Sequence, residues 1–196
     1  MKTVENFLLE KEHTPVYLCA YGSVVYGVAT EKSDKDYIAV ANNTDQISDA
    51  ESKIDVNIYN QVDFENKIKN HDIDALEAIF CPKEFRIKDC NFEFELNLSR
   101  LRESISSKSS HSFVKARKKL RFGEPYVGKK SMWHSFRIIL FGTQIAKFGK
   151  IIDFAAANYL YEDIVLNDNS DEEYYKNKYS KHINELMTEF RKLAPK

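Results

Sequence analysis

Residues 20–41 read AYGSVVYGVATEKSDKDYIAVA, with Gly22-Ser23, a second glycine at Gly27, and two aspartates, Asp34 and Asp36, one residue apart. Overlapping its start, PVYLCAYG (residues 15–22) opens at Pro15 as an apolar, aromatic and β-branched run that ends in glycine, the pattern of a buried strand. DYIAVA reads as a second strand, and SVVYGVAT between them as a turn or short helical piece. In an extended chain, side-chain direction repeats every two residues, so Asp34 and Asp36 would share one face. Two carboxylates that close repel by roughly 1–4 kcal/mol at surface-like dielectrics. A solvated turn tolerates such a pair. A fold that keeps it on a strand does so most readily with a cation between, and hard divalent ions take oxygen ligands, commonly one or two carboxylates plus substrate phosphates.

Further along, KIDVNIY alternates cleanly, with Ile54, Val56 and Ile58 on one face and Asp55, Asn57 and Tyr59 on the other. Asp55 becomes a third carboxylate if this strand pairs beside the first. Gly22-Ser23, at the end of a strand, would let backbone amides and the Ser23 hydroxyl approach phosphate oxygens. Together these parts suit metal-assisted phosphoryl transfer.

The segment YGSVVYGVATEKSDKDYIAV resembles the signature of the DNA polymerase beta-like nucleotidyltransferase superfamily, in which Gly-Ser is followed after about ten residues by Asp-x-Asp, with a third carboxylate on a neighbouring strand. The VYG glycine and the serine before Asp34 bring it near the small bacterial and phage nucleotidyltransferases. DVNIYNQVDFENKIKNHDIDALEAIFCP and KKSMWHSFRIILFGTQIAKFG are similar to stretches in those proteins. The resemblance implies an α/β (α+β) fold, a mixed sheet with flanking helices, followed by a helical C-terminal half. It also implies transfer of a nucleoside monophosphate from an NTP to an acceptor hydroxyl, with Mg²⁺ as cofactor, two ions in number, or Mn²⁺ in its place. Gly22 and Ser23 would hold the triphosphate, and Asp34, Asp36 and Asp55 the metal, with Asp55 helping to activate the acceptor hydroxyl. Lys35 departs from the apolar or aromatic residue of many members and sits awkwardly if the strand is buried on both faces.

The rest of the chain is ordinary in composition: 196 residues, 43% hydrophobic and 30% charged, enough for one sizeable core or two halves. The formal net charge of −1 conceals segregation, with −9 over residues 1–98, +11 over 99–150 and −3 over 151–196. A basic middle suits an anionic partner, and equally a set of solvated helix faces that balance the acidic half. Two domains are expected, a catalytic α/β part over 1–96 and a helical part over 97–196 that closes the nucleotide cleft. In the first, residues 3–12 form a short helix, NNTDQ a turn, and residues 63–80 one helix capped by Asp63. In the second, helices end at Gly123 and Gly149, with others over 154–168 and 172–194, and 167–173 forms a mobile loop.

Four more nucleotide-binding candidates lie on the helix opened by Lys129 and Lys130, where His134 and Arg137 share a face. The mixed basic and aromatic run that contains Lys115, Arg117, Lys118, Lys119 and Arg121 has the composition of a nucleic-acid-facing helix. RNA such as tRNA is therefore the first expected acceptor and a protein the second. The alternative is a non-catalytic nucleotide- or nucleic-acid-binding module of the same fold, regulatory or antitoxin-like. Cys19, Cys81 and Cys90 are scattered without metal spacing, neither a secretory signal nor a transmembrane helix is expected, and a cytoplasmic protein with no membrane partner is expected. Oligomeric state is not encoded in any pattern here.

Overall fold

The computed structural model describes residues 3–196, which divide into two compact units, one running to Glu95 and the other Leu96–Lys196. The first is a five-stranded mixed sheet with flanking helices. Its elements are α1 (Val4–Glu10), β1 (Tyr17–Tyr21), β2 (Lys35–Ala41), β3 (Asp45–Asp49), β4 (Ile54–Asn60), α2 (Gln61–Lys69), α3 (Ile73–Ile79) and β5 (Arg86–Lys88). The spatial order is β3-β4-β2-β1-β5. β2 and β4 are parallel, and the other pairs are antiparallel.

The alternation of β4 explains why the sheet has two covered faces. Ile54, Val56 and Ile58 join Leu18, Ala39 and Ala41 against Val4, Phe7 and Leu8 of α1. On the opposite face Tyr17 and Tyr59 pack their rings on Phe64 of α2, and the Tyr17 hydroxyl donates to the Ala78 carbonyl of α3. Beyond β5, the extended segment 91–95 lays Phe92 on Tyr17 and Phe64 and Phe94 on His71 and Phe80. Aromatic residues two apart in extended chain point the same way, so this stretch covers the helix-bearing face without joining the ladder.

Several expectations for this unit are corrected. The single helix over 63–80 is two helices. Asn60, not Asp63, caps the first by accepting from the Asp63 amide at 2.8 Å. The chain then breaks at His71, whose φ is +56°, and Asp72 caps the second helix. The expected turn at 42–46 continues directly into β3, an edge strand whose polar composition hid it.

The second unit consists of α4 (Leu98–Arg121), α5 (Pro125–Phe148) and α6 (Glu172–Leu193). α5 starts at Pro125 rather than Lys129; proline is at home at the first helical position because its missing N–H has no intrahelical partner there. It ends, as the sequence indicates, at Gly149 with φ +71°. Residues 154–168 form no α-helix; a 3₁₀ turn, Asn158–Leu160, and a π turn, Glu162–Leu166, occupy them. The stretch expected to be a mobile loop, 167–173, is laced by side chain–backbone bonds: Asn167 accepts from the Asn169 amide, Asn169 from that of Asp171, and Asp171 caps α6.

The α4–α5 pairing depends on two glycines. A Cβ at Gly128 would lie 2.7 Å from Leu120 Cγ and 3.0 Å from the Ala116 carbonyl oxygen; one at Gly142 would lie 2.8 Å from Ile105 Cγ1. Gly142→Val therefore forces Ile105 out of its rotamer. A loss of about 2 kcal/mol is expected in urea unfolding, and Gly142→Val/Ile105→Ala should recover part of it.

Candidate functional site

The register of the sheet assembles the site. Asp36 of β2 stands directly opposite Asp55 of β4, and on the outer sides of this pair Tyr21 faces Asp36 and Ser48 faces Asp55. Neighbouring strands lie about 4.8 Å apart, so two carboxylates share one row at the same end of the parallel pair. Both are half-buried, and Oδ1 of Asp55 is fully buried without a hydrogen-bond partner. A buried carboxylate oxygen without a donor carries an uncompensated desolvation cost, which a cation would relieve.

Gly22 closes the row. It follows Tyr21, is buried, and takes φ +72°, in the left-handed region. A Cβ on it would lie 2.4 Å from Oδ2 of Asp36. The backbone of the Gly22–Val24 turn thus sits against the Asp36 carboxylate, in space that any side chain would fill. Ser23, half-buried, lies in that turn.

The turn is fixed from behind by α3. The Tyr26 hydroxyl donates to Oε2 of Glu77, and the Tyr21 hydroxyl donates to Oδ1 of Asp74 at 3.1 Å. Glu77 is only 2% exposed. Sequence reasoning passed over it, although an acid four residues after Ile73 and next to Leu76 falls on the apolar face of its helix. Ser48 was missed as well, because β3 was not recognised as a strand.

Asp34 is placed differently. It is exposed and precedes β2, and with Thr30, Ser33, Lys35 and Lys53 it lines a cavity of about 390 Å³. Lys35, half-buried, is the first residue of its strand, and its amide donates to the Lys53 carbonyl at 2.7 Å. A position at the end of the strand removes the difficulty of burying a lysine mid-sheet. Among the described residues no three of His, Cys, Asp or Glu form a group able to hold a metal ion. The oxygen-only pair Asp36 and Asp55, with its orphaned oxygen, fits a hard cation that completes its coordination with water and phosphate oxygens.

The remaining candidates lie in the helical unit. Lys129 is buried and donates through Nζ to the Asn167 carbonyl. Lys130 Nζ sits 5.3 Å from the centre of the Tyr126 ring. The Arg137 guanidinium, 4% exposed, lies 5.9 Å from the Trp133 ring and 5.3 Å from that of Phe141. Burial of the His134 ring, with Lys130 and Lys115 adding positive potential, lowers its pKa to about 4, so it is neutral at neutral pH. In the basic run, Arg117 and Arg121 both bond Glu172, the latter at 3.2 Å, and Lys119 bonds Glu124 at 2.7 Å. Lys115 and Lys118 are exposed.

No protein-family model matches the chain, and no curated protein does. Among solved structures it is similar to a nucleotidyltransferase-like protein from Exiguobacterium sibiricum 255-15, with 11% identity, covering 97% of this chain and 75% of that one, at a TM-score of 0.36. Residue roles do not transfer at that distance. No helix among the described residues is long and apolar enough to cross a membrane.

Gly22→Ala should cost more stability than Gly149→Ala. Both positions have positive φ, but a Cβ at Gly149 meets nothing within 4 Å; left-handed strain alone costs roughly 1–2 kcal/mol. Chemical unfolding of the two variants reads the difference, which is the contact with Asp36. For His134, the unfolded chain binds the extra proton between its ordinary pKa, about 6.5, and the folded value of about 4. Stability should therefore fall as pH drops from 6.5 towards 4, and His134→Gln should remove that part of the fall in a pH series of melting temperatures.

Proposed function

We propose that this chain is a divalent-cation-dependent nucleotidyltransferase, which moves a nucleoside monophosphate from an NTP to an acceptor hydroxyl and releases pyrophosphate. The observation that supports this reading most directly is the row Asp36–Asp55 against the backbone of Gly22. A carboxylate pair with an orphaned buried oxygen is costly by itself and useful next to a cation and a polyphosphate. Mg²⁺ held there would offset the charge that builds on the phosphoryl oxygens and ease deprotonation of the acceptor hydroxyl.

In this reading Gly22 and Ser23 orient the triphosphate: the glycine admits phosphate oxygens close to the backbone, and the serine hydroxyl donates to one of them. Asp36 and Asp55 hold the cation, with Asp34 in the chain just before β2. In this reading Asp55 also helps to activate the attacking hydroxyl by taking up its proton. Tyr26 and Glu77 act as positioning residues that keep the glycine turn in place. An RNA acceptor is the first choice and a protein the second.

One observation favours a binding module instead: no third acid joins the Asp36–Asp55 pair among the described residues. Such a module would bind nucleotide without transferring it.

The test incubates the protein with each α-³²P-labelled NTP, Mg²⁺ or Mn²⁺, and total tRNA, and follows label into RNA and into protein. Asp36→Asn and Asp55→Asn should each lower transfer more than about a hundredfold while leaving the circular dichroism spectrum intact. Transfer that survives in both variants would sink the mechanism. Metal-dependent NTP binding by calorimetry, with no transfer to any acceptor, would favour the binding module.

A further inference from the structure

The helical unit contains a groove that neither the sequence motifs nor the proposed transfer site uses. Its broad end, a cavity of about 610 Å³, is lined by Ser99, Arg102, Glu103, Ser106, Arg191 and Lys196. Three of these six carry positive charge and one is acidic. What distinguishes them from the basic run at 115–121 is the nature of their partners. Arg102 donates through Nη1 to the carbonyls of Arg191, at 3.1 Å, and Ala194, at 3.2 Å. Arg191 points Nε at the Ser106 hydroxyl at 3.4 Å. Carbonyls and hydroxyls fix a guanidinium in place without cancelling its charge, whereas Arg117, Lys119 and Arg121 are each held by a carboxylate. Three cations against the single acid Glu103 leave net positive charge along this groove, with Arg102 fixed and Arg191 and Lys196 exposed to a ligand, and guanidinium forks match phosphate oxygens.

Arg191 also lines the neighbouring cavity between α4 and α6, of about 230 Å³, whose walls include Ser109, Phe113, Val114, Ile183 and Met187. The groove thus passes from a cationic end to a mixed stretch in which Phe113, Val114, Ile183 and Met187 alternate with serines and Asn184. Along α4 from Arg102 to Val114 it runs about 18 Å at the helical rise. A ligand that matches both parts has anionic groups along a backbone and flat apolar faces beside it.

We infer that the α4–α6 groove binds single-stranded nucleic acid, with phosphodiesters at Arg102, Arg191 and Lys196 and a base against Phe113. This inference concerns the helical unit alone and holds or fails independently of nucleotidyl transfer.

The experiment uses the full chain in EDTA without NTP, so that the transfer site does not contribute. Anisotropy of a fluorescein-labelled 12-nucleotide RNA of mixed sequence is followed from 50 to 200 mM salt for wild type, Arg191→Gln/Lys196→Gln, and Lys83→Gln/Lys88→Gln, two exposed lysines of the first unit. Arg102 is left intact because it ties the end of α6, and melting curves check that each variant is folded. Loss of the two groove cations should weaken binding about tenfold at low salt and flatten the slope of log K against log salt by about 1.4, at roughly 0.7 per phosphate contact on a single strand. The Lys83/Lys88 pair should change affinity less than about twofold. Absence of wild-type binding, or equal loss in both double variants, overturns the proposal. Displacement of the RNA by inorganic phosphate at equal phosphate concentration makes the groove a small-anion site and overturns it too, as does displacement by oligoglutamate as effective as that by unlabelled RNA.

Discussion

The parallel pairing of β2 with β4 is the constraint on which the N-terminal unit depends. It sets Ile54, Val56 and Ile58 against α1 and, in the same register, Asp55 beside Asp36. Because strand side chains alternate with period two, a slip of one residue would turn three buried aliphatic side chains to the other face and take the carboxylates out of their row. Burying three side chains of this size stabilises by about 4.5–9 kcal/mol together, which exceeds the roughly 1–4 kcal/mol repulsion between two close carboxylates. The apolar face therefore enforces the carboxylate geometry, and the strain of the site is absorbed by a core that gains from the same register.

The glycine turn belongs to the same balance. Gly22 follows the last residue of β1, whose side chain faces Asp36 across the ladder, so the turn can only lie against that carboxylate. Tyr26 and Tyr21 then fasten it to α3 through Glu77 and Asp74. In the helical unit glycine has another task. At Gly128 and Gly142 the absence of a side chain lets α4 and α5 approach closely, a matter of packing rather than of backbone freedom.

Much of this was legible in the sequence, for physical reasons that can be named. Strands β1, β2 and β4 announced themselves by buried apolar runs or strict alternation, and the three long helices by their apolar periodicity and by a glycine after α5. That Asp36 and Asp55 are neighbours was conditional in the sequence on β4 lying beside β2, a pairing implied by the resemblance and found in the parallel register. The missed elements lack such signals. β3 is exposed and polar, β5 is three residues long, and the break between α2 and α3 rests on a left-handed histidine that no pattern flags. Asp34 shows the limit of periodicity: it has the spacing of a strand residue but lies just before the strand begins. Pairwise commitments such as Arg117 and Arg121 with Glu172 join residues about fifty apart, and composition alone cannot reveal them.

The position of Asp36 has a consequence for how the site would fail. β2 lies between β1 and β4, so the backbone of Asp36 is laddered on both sides and belongs to the part of the unit that opens last. Amide hydrogen exchange there proceeds through opening of the sheet rather than through local fraying. Asp34, outside the ladder, is on chain that can loosen while the sheet stays whole. On heating, the two aspartates of one short motif would therefore part company: the first would lose its fixed place early, and the second would keep it until the fold itself gave way.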